Sequence, residues 1–277
     1  MSFENRVVGF IDVMGFKDLV LRAERGDKVA SATLNNLLKE LDAHVTLDNK
    51  SVKAPVSVVP NYIAMSDSII VSVPEQYTDP DTARTYDGIA IVSAKVIQLT
   101  QTLLEGGRLV RGAIHVGPVR LENSTIFGSG YMEAAMSELI AWSPRVIFTP
   151  AACSAYDRIG NKYGALALKD GKDVILNVLE PAYSKAVQNG AYEEDVVKGY
   201  REHIEYNLKQ LRNFSSAWVH WAWMAHFFNE ALQRNSHYNV APIVLPANWR
   251  HALRCRRAKH APLTWYANRE IAKMRPH

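Results

Sequence analysis

A chain of 277 residues, 48% apolar and 22% charged, has the length and composition of a soluble globular protein with a sizeable core, built as one large domain or two small ones. Its two distant cysteines, Cys153 and Cys255, exclude a disulfide framework or a zinc spacing of their own, and the N-terminus MSFENRVVGF lacks the features of a signal peptide, so a reducing cytoplasm is the default. The net charge of +4 is uneven: from Ala241 onward eight basic residues against Glu270 alone give +7, leaving −3 for the first 240 residues. Such a tail either meets nucleic acid, a membrane surface or a phosphorylated ligand, or is simply solvated.

The first element is Arg6–Lys17, RVVGFIDVMGFK. Val7, Val8, Phe10 and Ile11 read as a buried strand, and the strand runs into Asp12, a carboxylate where a buried strand should carry none. Gly15 and Phe16 then open an amphipathic helix over Phe16–Leu47, interrupted at Gly26-Asp27. A carboxylate at this place either caps the helix or, with the helix-start amides, serves a metal and a phosphate. Val56–Val73 reads as a hairpin turning at Met65-Ser66-Asp67-Ser68.

A second long helix is expected over Asp79–Leu104, from the capping sequence DPDT to Gly106-Gly107. Leu109–Val119 is a strand, Ile126–Gly130 a glycine-containing loop and Tyr131–Ala141 a helix. Arg145–Thr149 is a strand, Pro150–Ile159 a helix and Val174–Leu179 a last strand. The first six elements follow the ferredoxin-like β-α-β-β-α-β pattern, so the fold class is α+β. From Tyr183 onward the pattern is helical: Glu193–Leu211 is charged and amphipathic, and Ser215–Arg234 carries Trp218, Trp221, Trp223, Phe227 and Phe228. That apolar run is too short to span a bilayer; it reads as a core or dimer helix, with a membrane-lying helix as the alternative. The division expected is a domain over 1–180 and a helical extension over 181–277.

In such a sheet the first strand is adjacent to the hairpin, so Asp12 and Asp67 can meet. Two carboxylates there repel unless a cation lies between them, and two divalent ions on two aspartates are equipment for moving phosphoryl groups. The amides of Met14–Lys17 would take a triphosphate. Arg111 suits a phosphate contact or an acid on the sheet. Lys17 either reaches the phosphates or faces solvent. His115 is read as a satisfied core or surface histidine, since it lacks partners for a metal site. Lys169 and Lys172 lie in the turn KDGK, where they are either phosphate contacts or ordinary turn lysines.

The ordered set Asp12-Val-Met-Gly15-Phe16, Asp67 in a hairpin turn, Arg111-Gly-Ala-Ile-His-Val-Gly117, and Gly128 before a helix with Ala134-Ala135 resembles the class III nucleotidyl cyclases over roughly residues 6–180. The resemblance implies a palm-like cyclase core, two Mg²⁺ or Mn²⁺ ions on Asp12, Val13 and Asp67, substrate contacts from Phe16 and Lys17, and a head-to-tail homodimer with shared sites. Arg111 is the first choice for a cation supplied by the partner. The purine cyclases' Asn and Arg pair falls on Met132 and Met136, and their base-selecting positions fall on Ile63, beside Tyr62, and on Thr125. That departure is similar to the pyrimidine cyclases of bacterial Pycsar anti-phage systems. It implies a cyclase taking UTP to cyclic UMP, with CTP as the nearest competitor and a separate effector activated by the product. Tyr62, Ile63 and Thr125 are the base-reading residues on this view. The rivals are a catalytically silent nucleotide-binding regulator of the same fold and, last, a nucleic-acid-binding protein using the basic tail. Neither nucleic acid nor membrane is expected as a partner.

Overall fold

The computed structural model describes residues 2–51, 61–79, 83–122, 125–163, 166–212 and 215–254. Its centre is β1 (Glu4–Val13), a ten-residue strand whose apolar run is buried on both faces. The chain leaves it through Gly15, whose φ of 82° is the left-handed conformation that glycine adopts without strain, and enters α1 (Phe16–Glu24). The expected interruption is present at Gly26-Asp27. The Asp27 carboxylate there accepts from the amides of Val29 and Ala30 at the start of α2 (Lys28–Ser51). The first arm of the expected hairpin falls partly outside the described residues. What is described is β2 (Asn61–Met65), a tight turn at Ser66-Asp67, and β3 (Ser68–Pro74).

The second long helix starts nine residues later than the sequence suggests. β4 (Gln76–Thr78) and β5 (Thr85–Asp87) pair first, with Tyr77 stacked on Tyr86, and α3 runs over Gly88–Glu105. Aromatic and β-branched residues at Tyr77, Thr78, Thr85 and Tyr86 favour this strand pairing over an early helix start, and most of DPDT lies outside the described residues. β6 (Val110–Glu122) is longer than expected and pairs with β7 (Thr125–Phe127); α4 covers Ser129–Glu138, two residues earlier than expected at its start. β8 (Val146–Phe148) and α5 (Pro150–Ile159) lie where the sequence puts them. The last strand is one arm of a hairpin: β9 (Ala167–Asp170), which the sequence reading lacks, turns through Gly171-Lys172 into β10 (Asp173–Leu176). Then come the short α6 (Lys185–Gln188), α7 (Glu193–Gln210) and α8 (Ser216–Arg234).

The main sheet runs β2-β3-β1-β6-β8-β10-β9, with β7 on the free stretch of β6. β1 is antiparallel to both β3 and β6, and β2 is antiparallel to β3. This is the ferredoxin-like order of a βαββαβ unit, extended by β8, β10 and β9, so the fold is α+β with a helical C-terminal part. Odd-numbered β1 residues such as Val7 and Ile11 join the main core with α3, whereas Val8 packs with Ile70, Val119, Ile126 and Ala134 on the opposite face, beneath α4. The Gly9 position brings α3 close: a β-carbon there would lie 3.1 Å from both Val92 and Val96.

The main core is continuous into the helical part, taking in Tyr200 and Ile204 of α7 and Trp221, Trp223, Phe227 and Phe228 of α8. The aromatic face of α8 is therefore spent inside the chain, on the core and, through Trp218, on Trp249. Among the described residues no helix is long and apolar enough to cross a membrane.

Candidate active site

Register places the candidate residues. Asp12 lies opposite Ser68 on one side and Arg111 on the other, so it is flanked by the hairpin turn and by the start of β6. The amide of Val13 donates to the Asp67 carbonyl at 3.0 Å, which pins the turn against the end of β1. Asp12, Asp67 and Arg111 therefore meet at one end of the sheet. The Arg111 Nε donates to Asp12 Oδ2 at 3.1 Å.

A fourth residue belongs here that the sequence reading lacks. Glu138, the last residue of α4, is 5% exposed and contacts the same Arg111 Nε through its Oε1. That single N–H is committed to Asp12, and Glu138 Oε1 has no hydrogen bond of its own among the described residues. Burial is the main reason the Glu138 carboxyl is pushed up to about 7; Arg111 opposes this, while Asp12 and Asp67 add to it. The Asp12 carboxyl is raised as well, first by burial, against Arg111, and then by the charge and hydrogen bond of Asp67. A buried acid three turns into a helix that carries no metal motif gives no sequence signal; only the fold returns it to β6.

Asp12 and Glu138 thus share one guanidinium with Asp67 close to both, and the surplus of acids over Arg111 fits a bound cation. Asp12 and Asp67 supply hard oxygen ligands suited to Mg²⁺ or Mn²⁺. No group of three or more His, Cys, Asp or Glu side chains arranged for a metal occurs among the described residues. Two carboxylates completed by water and phosphate oxygens are the usual mode for Mg²⁺ with a nucleotide. Val13 is buried in the β1–β6 ladder opposite Val110, so only its backbone could take part.

A cleft of about 640 Å³ opens beside this cluster, lined by Asp12, Gly15, Asp18, Arg108 and Arg111 on one side. The start of α8, from Ser215 to Trp221, forms the other side. The volume lies within the range of small-molecule sites, about 300–1,000 Å³. The expected phosphate cradle is smaller than the sequence suggests, because the Met14 amide is spent on the Leu109 carbonyl at 2.9 Å. The first-turn amides of α1, from Phe16 onward, have no intrahelical acceptors by helix geometry. Phe16 packs its ring against the main core, and Lys17 is exposed.

The base-reading candidates separate. Tyr62 and Ile63 point to opposite faces, as neighbours on a strand must: Tyr62 packs against the main core and Ile63 against the α4-side cluster, on the same face as Asp12. Ile63 pairs with Ile70, which pairs with Phe10, two residues before Asp12. Thr125 is exposed on β7 opposite Glu122, eleven residues along β6 from Arg111. At about 3.3 Å per residue that is roughly 35 Å away, so one chain does not bring Thr125 to Asp12.

His115 is buried, and burial pushes its imidazole down to about 4, so it is neutral; Nδ1 lies 2.9 Å from Thr149 Oγ1. This is the satisfied core histidine expected. Lys169 and Lys172 are exposed on and after β9. Met132 and Met136 lie on α4, Met132 half-exposed. Most of the basic tail lies outside the described residues.

No family model and no curated protein matches this chain. Solved structures that it resembles include the adenylyl cyclase CyaB from P. aeruginosa, at 14% identity and a TM-score of 0.43 over 62% of this chain and 92% of that one. The guanylyl cyclase domain of the RhoGC fusion protein from the aquatic fungus Blastocladiella emersonii gives 16% identity and 0.42 over 63% and 95%. A structure of adenylate cyclases from Trypanosoma brucei gives 12% identity and 0.39 over 63% and 90%.

Proposed function

We propose that this chain is a divalent-metal-dependent pyrimidine nucleotide cyclase, converting UTP to 3′,5′-cyclic UMP and pyrophosphate. The observation that carries it is the convergence of Asp12, Asp67 and Arg111 at one end of the sheet, beside a cleft of nucleotide size. Divalent ions bound on the two aspartates would supply Lewis acidity at the ribose 3′-hydroxyl and at the phosphates. Asp12 and Asp67 hold the negative potential that draws those ions in. The first-turn amides of α1 orient the phosphates, and Arg111, once drawn off Asp12, offers its guanidinium to the charge that develops as pyrophosphate leaves. Glu138 holds Arg111 from the α4 side. Positioning and charge stabilisation do most of the work in such a displacement.

The pyrimidine choice is supported by Ile63, an apolar residue on the Asp12 face where a purine reader would carry charge, and by the resemblance to the Pycsar cyclases. CTP is the nearest alternative substrate. The anti-phage setting, the separate effector, the homodimer and the division at about residue 180 rest on the same resemblance. A silent regulator is favoured by two observations: Arg111 already occupies the place beside Asp12, and Met132 and Met136 stand where the transition-state pair would be. Equal concentrations of all four NTPs with Mn²⁺, resolved by chromatography, decide among these readings. Cyclic UMP as the main product supports the proposal, cyclic CMP changes only the base, a purine product overturns the pyrimidine reading, and no product leaves the regulator.

A further inference from the structure

The cleft beside Asp12 has a second wall that the sheet does not build. It is the first two turns of α8, where Ser216, Ala217, His220 and Trp221 share one helix face. Further along that face Trp221 and Met224 are buried in the main core. On the far side Trp218, Val219 and Ala222 pack against Trp249. The start of α8 is thus gripped from both sides. His220, half-buried, is the last polar residue of the face before it enters the core.

The two walls differ in charge. Asp12, Asp18, Arg108 and Arg111 stand on the first, together with the first-turn amides of α1. Among the described residues no Asp, Glu, Lys or Arg of α8 lines the second, which offers a hydroxyl and an imidazole instead. None of Tyr62, Ile63 and Thr125 lines the cleft.

We infer that α8 reads the base of the nucleotide, with His220 as a specificity-determining residue and Ser216 beside it. The inference rests on the cyclase reading of the cleft. In that reaction the phosphates and the ribose 3′-hydroxyl stay by Asp12 and Arg111, so the part of the nucleotide that projects toward the other wall is the base. The edge of a pyrimidine carries both donors and acceptors. A neutral imidazole has one of each, and a hydroxyl serves as either. This wall can therefore pair with the edge without a charged side chain, and a mismatched edge leaves buried polar groups unpaired. The helical part thereby becomes a component of the site, contributed by the same chain that supplies Asp12.

The test separates base from phosphate. The full-length protein with Mn²⁺ is titrated calorimetrically with tripolyphosphate and with a UTP analogue carrying a methylene between its α- and β-phosphorus atoms, which cannot release pyrophosphate. The wild type should bind the analogue at least about tenfold tighter than tripolyphosphate. His220→Ala should lower that ratio at least about fivefold, the worth of about one hydrogen bond, with tripolyphosphate binding and the melting curve near the wild type. His220→Gln, which keeps a donor and an acceptor, should hold more of the ratio than His220→Ala. Asp12→Asn should instead weaken both ligands in parallel. A wild-type ratio near one, an unchanged ratio in His220→Ala, an equal loss of both ligands in that variant, or a Gln variant no better than Ala would each overturn the inference and leave the cyclase reading standing. Binding of neither ligand to the wild type would overturn that reading, and the inference with it.

Discussion

Glu138 makes the electrostatics of the cleft measurable without any substrate. In the folded chain its carboxyl is pushed up from 4.5 to about 7, chiefly by burial. Between those two values the folded state holds a proton that the unfolded state has released. The stability this group contributes is therefore full below about pH 4.5 and is lost as pH rises through 7. At about 1.36 kcal/mol per pKa unit, the loss is about 3 kcal/mol. Asp12, also raised, adds to it in the same direction. Urea unfolding in EDTA at intervals from pH 5 to pH 8 should show wild-type stability falling by roughly this amount, an effect equal to a fair share of a domain's total stability. Glu138→Gln keeps the shape and removes the titration, so its profile should be flatter by most of that difference. Mn²⁺ should restore part of the alkaline loss in the wild type, because a cation on Asp12 and Asp67 binds the folded state alone and offsets the excess negative charge. If the Gln variant falls as steeply as the wild type, the titrating group lies elsewhere and the three-carboxylate description of the cleft is wrong.

Asp12→Asn and Asp67→Asn should each lower cyclic nucleotide formation at least about a hundredfold with unfolding curves near the wild type, as loss of a metal ligand does; near-normal turnover in either would remove the metal assignment. Mixing inactive Asp12→Asn with inactive Arg111→Ala should restore no activity, because both residues serve the cleft of their own chain; recovered activity would show that Arg111 acts across two copies. Gly112→Ala should destabilise by more than the about 1–3 kcal/mol usual for overpacking, because the new β-carbon would lie 2.4 Å from the Phe10 carbonyl oxygen in the central ladder; a melting temperature within a degree or two of the wild type would contradict the β1–β6 register.

The strands were legible where one physical signal dominated. β1 announced itself by an apolar run ending in a carboxylate, and the Pro150–Ile159 helix by proline at its first turn, after Thr149 accepts from the Ala152 amide. The sequence puts the start of α3 too early because Asp79-Pro-Asp-Thr satisfies the local rule for a helix start. The choice was made by the pairing of Tyr77 with Tyr86, a contact that exists only once the strands meet. β9 was missed for a similar reason: Ala-Leu-Lys-Asp has no clear alternation, and it becomes a strand because β10 offers it a ladder. The site followed the same logic. Asp12 is conspicuous as a carboxylate at the end of a buried strand and Asp67 as one in the turn of a hairpin, whereas Glu138 is one acid in a helix until α4 folds back over β6. The Met14 amide counted as a phosphate donor in the sequence, and only the β1–β6 ladder shows that Leu109 already holds it.

The distribution of the candidate residues along β6 bears on how a complete site could be built. Arg111 begins this strand beside Asp12, and the β6–β7 hairpin ends it roughly 35 Å away, by strand length, with Thr125 at the tip. Within one chain no bending of the side chains closes that gap. If Thr125 reads a base, it reads one bound to another copy, and an arrangement placing two copies head to tail would bring each hairpin to the other's cleft and produce two equal sites. Apolar surface on that distal end is consistent with a partner there: Phe3 and Phe127, 53% and 38% exposed, stand edge to face, and Met132 of the adjoining helix is 50% exposed. The aromatic helix α8 offers no such surface, since its rings are packed within the chain. The argument for two copies therefore moves from the C-terminal helix to the β6–β7 hairpin. A charge placed at Phe127 should separate the copies while leaving the Asp12–Arg111 cleft of each intact.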